Sequence, residues 1–140
     1  MKPVFEKCGP AAAAALVLVC LFVPGVRAYL AEFSARWDCG WDVIRVRWQT
    51  VNETDAIGFY VWRSRTRDGV YTRVTSDMQD ARGVTGRTVY YYEDAYVNAY
   101  QVYYYQLEKV RTDGARVFYG PVRAEFACDD DDGWLIATCF

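Results

Sequence analysis

Asp129-Asp130-Asp131-Asp132-Gly133 is the densest set of possible metal ligands in the chain. Aligned as an EF-hand loop, with Gly133 as the turn glycine, it offers Asp130 and Asp132 as calcium ligands. Cys128 and Cys139 would then stand at the first and last ligand positions, where the loop needs oxygen. The run therefore reads as a solvated acidic tail, and no metal or cofactor is expected. Nucleophilic catalysis lacks its parts as well. The chain has no His, which removes Ser-His-Asp and Cys-His arrangements. Ser34, Ser64 and Ser76 have no glycine-elbow context. Glu53 and Asp55 lie close enough for acid–base work, but as loop carboxylates they are expected to be solvated. The chain is not expected to be an enzyme.

The remaining chemistry is that of cysteines and aromatic rings. Cys8 and Cys20 fall in an N-terminal segment with the features of a secretory leader. Lys2 and Lys7 precede an apolar run from Ala11 to Val23, Pro24-Gly25 breaks it, and Val26-Arg27-Ala28 supplies a cleavage site after Ala28. The run is too short to span a bilayer, and no later segment is long enough. The mature chain is then Tyr29 to Phe140, secreted or held in the cell envelope, with no membrane span. Loss of the leader takes the net charge from −2 to about −4, which argues against nucleic acid as a partner. Three cysteines remain, Cys39, Cys128 and Cys139. An oxidising compartment favours one disulfide among them, and the odd count leaves a thiol for a mixed disulfide with another chain.

The rings, 12 Tyr, 7 Phe and 5 Trp, belong to elements that must be strands. Val43-Ile44-Arg45-Val46-Arg47-Trp48 alternates apolar and charged residues, as a half-buried strand does. Leu30 to Arg36 alternates imperfectly and precedes it. Gln49 to Ile57 is polar and reads as loop. Gly58 to Ser64 is a third strand, and Val70 to Val74 a short fourth after the Arg67-Asp68-Gly69 turn. Thr75 to Arg87 reads as a long loop, and Thr88 to Asp94 as a fifth strand. Two Tyr- and Val-rich runs, Val97 to Val110 and Ala115 to Val122, flank Asp113-Gly114, a strong hairpin signal. Pro121 fits only an edge strand or a bulge. Seven strands without a helical period imply an all-β, seven-stranded antiparallel β-sandwich.

With the strands placed, Val43 to Val122 resembles a bacterial secreted fibronectin type III domain. The likeness rests on Val46 to Ser64, where a Trp strand leads through a Thr/Asn/Glu loop to Gly58-Phe59 and Arg63-Ser64. It rests also on Asp68-Gly69-Val70-Tyr71-Thr72, and on Tyr103 to Val110 followed by Asp113-Gly114 and Tyr119-Gly120-Pro121-Val122. The resemblance implies an immunoglobulin-like domain over residues 29–126 and a Cys-containing acidic tail over 127–140. It implies core roles for Trp48, Tyr103, Tyr105 and Leu107, with Tyr103 as a tyrosine corner bonded to the preceding loop. It places Cys39 and the end of the last strand at one pole. Cys39–Cys128 is then a reasonable bridge, with Cys128–Cys139 and Cys39–Cys139 as alternatives. Asn52-Glu53-Thr54 is a glycosylation sequon, of no consequence in a bacterial source.

The function implied is a non-catalytic secreted or cell-envelope interaction module, for protein binding or structure. Two alternatives are a carbohydrate- or cell-wall-binding protein and a loop-mediated inhibitor or subunit of another secreted protein. Partners are therefore a secreted or surface protein, or a polysaccharide. Strand alternation puts Tyr60, Trp62 and Tyr104 on the face opposite Phe59, Val61, Tyr103 and Tyr105. Those three rings are the candidate contact surface.

Overall fold

The computed structural model describes residues 29–128. The leader and the acidic tail, with Asp130, Asp132 and Cys139, lie outside the described residues. Eight strands run through this region: β1 (Tyr29–Asp38), β2 (Val43–Val51), β3 (Ala56–Ser64), β4 (Thr72–Arg73), β5 (Gln79–Asp80), β6 (Arg87–Asp94), β7 (Tyr103–Arg111) and β8 (Arg116–Ala124). They form two antiparallel sheets. One has the order β1-β2-β6; the other has β4-β3-β7-β8, with β5 added to β3. The result is an all-β sandwich.

The strand count differs from the seven expected because the polar stretch after Thr75 is not all loop. Gln79 and Asp80 pair with Phe59 and Gly58. Two residues carry too little pattern to register as a strand in sequence. Gly58 is required at that approach, since a Cβ there would meet the Gln79 carbonyl oxygen at 2.7 Å. The β2–β3 connection is also shorter than its polarity suggests. Strand β2 runs on to Val51 and β3 starts at Ala56, with Asn52 turning the chain at φ 60°. Asn tolerates that left-handed conformation better than most residues.

Alternation explains the core. Ile44, Val46 and Trp48 of β2 face Phe59 and Val61 of β3 and Tyr103, Tyr105 and Leu107 of β7, all buried. Trp48 stacks on Tyr90 with ring centroids 5.3 Å apart, and Phe59 tilts against both. Aromatic pairs of this kind add to the burial of their area. The imperfect alternation of β1 has a local cause: the register shifts between Leu30 and Glu32, and a bulge of one residue inverts side-chain parity.

A second bulge shapes the last strand. Tyr105 pairs with Val122 and Leu107 with Tyr119, so Gln106 opposes both Gly120 and Pro121. The extra residue lets Tyr119 and Val122 both turn toward the core. Gly120 has φ 96°, and a Cβ there would meet the Tyr105 carbonyl oxygen at 2.8 Å. Pro121 thus sits at a bulge on an edge strand, where its missing N–H costs no ladder bond. The hairpin before it turns at Gly114, with φ 81°, and the Ala115 N–H is capped by the Asp113 carboxylate at 3.0 Å.

Candidate functional site

The rings singled out by alternation share one surface. Phe59 and Val61 point into the sandwich, so Tyr60 and Trp62 point out of the β4-β3-β7-β8 sheet. Tyr104 points out of β7 beside them, between the buried Tyr103 and Tyr105. Register sets the rows. Tyr60, Glu108 and Phe118 lie side by side across β3, β7 and β8, and Trp62 pairs with Arg73 on one side and Gln106 on the other. Ser64, Tyr104 and Arg123 form the next row.

These groups hold one another in place. The Trp62 indole N–H donates to Glu108 Oε2 at 2.7 Å, and Arg116 Nη1 donates to Oε1 of the same carboxylate at 2.5 Å. Glu108 is fully buried although it faces outward, because these neighbours cover it. Charge-assisted bonds of this kind are the strong ones. Phe118, 52% exposed, lies edge-on to Trp62 with centroids 6.2 Å apart and planes at 63°. The Arg73 guanidinium lies over the Tyr60 ring at 4.6 Å, a cation–π geometry. Arg123 pairs with Glu125 at 2.6 Å. Its hydrogen bonds to Glu125 and then to Tyr104 hold its pKa above the ordinary arginine value. The surface is therefore corrugated: half-buried Tyr60, Trp62 and Tyr104, an exposed Phe118, and three arginines among them.

Phe118 and Glu108 were missed by the sequence reading. The hairpin register from Asp113-Gly114 places Phe118 outward, and that signal was available. Nothing in the pattern marks an outward Glu as buried, since its cover comes from neighbouring strands.

Other ionisable groups are committed to structure. Glu53, expected to be a solvated loop carboxylate, is 1% exposed. It accepts hydrogen bonds from the Thr50 and Tyr90 hydroxyls and from the backbone N–H groups of Arg82 and Gly83. The β2–β3 turn is shorter than its polarity implied, and this draws Glu53 under the β5–β6 loop. Asp55 is held by Lys109 at 2.8 Å and Arg111 at 3.3 Å. Asp94, also buried, accepts from Arg63 at 2.7 Å and from the Tyr105 hydroxyl at 2.9 Å. Burial, then the Asp94 charge, pushes the Tyr105 hydroxyl pKa far up. Asn52 of the sequon is buried and its side chain accepts from the Thr54 N–H at 3.3 Å. Among the described residues no group of three or more His, Cys, Asp or Glu is placed to hold a metal ion.

The remaining sequence candidates also have definite places. Trp48, Tyr103, Tyr105 and Leu107 are core residues. The Tyr103 hydroxyl accepts the Asn98 N–H at 2.9 Å, a bond to the preceding loop of the kind a tyrosine corner makes. Cys39 in the β1–β2 turn is bonded to Cys128, with their Cα atoms 5.8 Å apart.

This arrangement of sheets is shared with a solved structure described as an Fn3-like protein from Clostridium thermocellum. The TM-score is 0.52 and the identity 20%, over 71% of this chain and 92% of that one. The fold is fibronectin type III-like. In that frame β1, β2 and β6 make one layer and β4, β3, β7 and β8 the other. No protein-family model matches the chain, and no curated protein matches it. The likeness concerns the fold, and function must be argued from the surface itself.

Proposed function

We propose that this chain is a non-catalytic interaction module of the secreted or cell-envelope space, and that the outer face of the β4-β3-β7-β8 sheet is its binding surface for another protein. One observation carries the reading: the Trp62 indole is locked to the buried Glu108 carboxylate, which the exposed Arg116 also holds, and is flanked by Phe118 and by the Arg73–Tyr60 stack. Trp, Tyr and Arg are the residue types enriched at the centres of protein interfaces. Held in advance, they lose little side-chain freedom on binding. The module would use two of the three mature cysteines internally, leaving Cys139 for a mixed disulfide.

A polysaccharide is the second reading, since the half-buried Trp62 and the exposed Phe118 lie on one face. It is less favoured because Phe118 stands edge-on to Trp62 and Arg73 caps Tyr60, so no flat row of ring faces results.

The test compares capture of secreted proteins and retention on insoluble cell-wall polysaccharides by the wild type and by Trp62→Ala. Capture of a discrete protein that falls at least tenfold in Trp62→Ala, with near-native circular dichroism, is the expected result. Retention on polysaccharide that depends on Trp62 would move the conclusion to the second reading. Capture indifferent to Trp62 would remove the sheet face from consideration.

A further inference from the structure

An open sheet ends in strands whose outer N–H and C=O groups lack a strand partner, a template for pairing with another chain. Proteins blunt such edges with bulges, Pro or very short strands. This sandwich does so at three of its edges. Strand β1 has the bulge between Leu30 and Glu32, β8 has the bulge at Gly120-Pro121, and the two strands lie against each other. The edge of β3 is covered by β4 and β5, of two residues each.

Strand β6 has none of these devices. It has eight residues, pairs with β2 from Arg87 to Asp94 without a register shift, and contains no Gly, Pro or Lys. Thr88-Val89-Tyr90-Tyr91-Tyr92 are all strand-forming types. Among the described residues, no backbone hydrogen bond joins residues 87–94 to any segment but β2.

The pattern of β6 selects its partner. Thr88, Tyr90 and Asp94 are buried, while Arg87, Tyr91 and Glu93 are exposed. A slip of one residue would set core-facing side chains against solvent-facing ones, so only like parity can pair. Two copies of β6 laid antiparallel about Tyr90 satisfy that rule. Arg87 of each then stands opposite Glu93 of the other, and Val89 opposite Tyr91. Opposite charges directly across two strands stabilise the pair, and a two-fold contact makes each one twice. Arg87 has no ion-pair partner among the described residues. Glu93 remains 57% exposed while holding Arg45 at 3.0 Å, and Arg45 is also held by Asp38 at 2.9 Å. The two ends of β6 thus carry the charges that a second copy complements.

We propose that two copies of this chain pair edge to edge through β6, antiparallel and centred on Tyr90. Their three-stranded sheets join as one sheet of order β1-β2-β6-β6-β2-β1. Because outward residues meet outward residues, both β4-β3-β7-β8 sheets lie on the same side of it. The dimer then presents the Trp62 face twice in one direction, which favours a partner with repeated sites. The pairing itself does not rest on what that face binds.

Sedimentation equilibrium of the purified protein over a range of concentrations tests the proposal, with hydrogen exchange as the second readout. A reversible dimer is expected, in which β6 amides exchange more slowly as it forms. Arg87→Glu sets Glu against Glu93 at both ends and should weaken the dimer roughly 5- to 100-fold. Arg87 is exposed and unpaired, so the melting temperature of the dilute monomer should not move. Arg87→Glu combined with Glu93→Arg restores opposite charges and should recover most of the affinity. Trp62→Ala should leave the dimer unchanged. A monomer at every concentration would overturn the proposal. So would a dimer indifferent to Arg87→Glu, or one lost in Cys139→Ser, which is a disulfide between chains. Protection of β6 in a monomer only when another protein is added would give the edge to a foreign strand, and would overturn it as well.

Discussion

Glu53→Ala is expected to destabilise the domain by about 3–5 kcal/mol, because it removes the shared acceptor of several hydrogen-bond donors, two of them buried hydroxyls. Its carboxylate is the common acceptor for Thr50 Oγ1 at 2.5 Å, Tyr90 Oη at 2.7 Å, Arg82 N at 2.8 Å and Gly83 N at 3.2 Å. The alanine leaves the buried Thr50 and Tyr90 hydroxyls without this acceptor, and each buried orphan costs about 1–3 kcal/mol. The damage would spread across both sheets, because the network ties the end of β2 to β6 and to the loop leaving β5. Glu53→Gln keeps one acceptor oxygen but turns an amide NH₂ toward remaining donors, so it should fall between the alanine and the wild type. Urea midpoints for the three proteins check the order. A change below about 0.5 kcal/mol in Glu53→Ala, the scale of an ordinary surface substitution, would show that Glu53 is solvated after all.

The same network gives an alkaline signature. Burial, and then the hydrogen bond to Glu53, pushes the Tyr90 hydroxyl up from its ordinary value of 10.0 to about 12. The folded state therefore holds this proton more tightly than the unfolded chain does. That stabilisation is fully present below pH 10 and is lost as pH rises from 10.0 to about 12. Denaturation midpoints measured across that window should fall in the wild type. They should fall less in Tyr90→Phe, which has no proton there to lose.

Loss of the disulfide has the other large expected effect. Cys39 and Cys128 are 89 residues apart in sequence, so the bridge closes almost the whole described domain into one loop. Chain entropy for a loop of that length gives about 4–5 kcal/mol, a large share of the ~5–15 kcal/mol that holds a domain folded. Cys39→Ser with Cys128→Ser, or reduction of the wild type, should lower the melting temperature by roughly 15–30 °C. The variant also frees the end of β8, and with it the Phe126 ring between Trp37 and Tyr100. A shift of only a few degrees would mean that the unfolded chain is already compact.

Much of the scaffold was legible in the sequence because period-2 alternation is a direct record of burial. Ile44, Val46 and Trp48 announce their face, and Asp113-Gly114 fixes the final hairpin. Tyr60, Trp62 and Tyr104 could be assigned to one side from parity alone. What stayed hidden depends on contacts distant in sequence. Strand β5 exists only because Gly58 lets Met78 and Gln79 approach β3. The burial of Glu53 follows from a loop that arrives 29 residues later, and that of Glu108 from Trp62 and Arg116 on flanking strands. A polar residue states its own chemistry in the sequence, while its burial is decided by its neighbours.

The central claim, that a partner sits on the outer face of the β4-β3-β7-β8 sheet, is tested most directly by photocrosslinking. A benzophenone side chain placed at Phe118 reports from that face, and one at Tyr91 reports from the other sheet. The two positions are 52% and 56% exposed, so chance encounters should label them equally. The account predicts a discrete crosslinked protein from position 118 in the native secreted milieu, abolished by Trp62→Ala and absent from position 91. Equal crosslinking of that protein from both positions, or from position 91 alone, would contradict it.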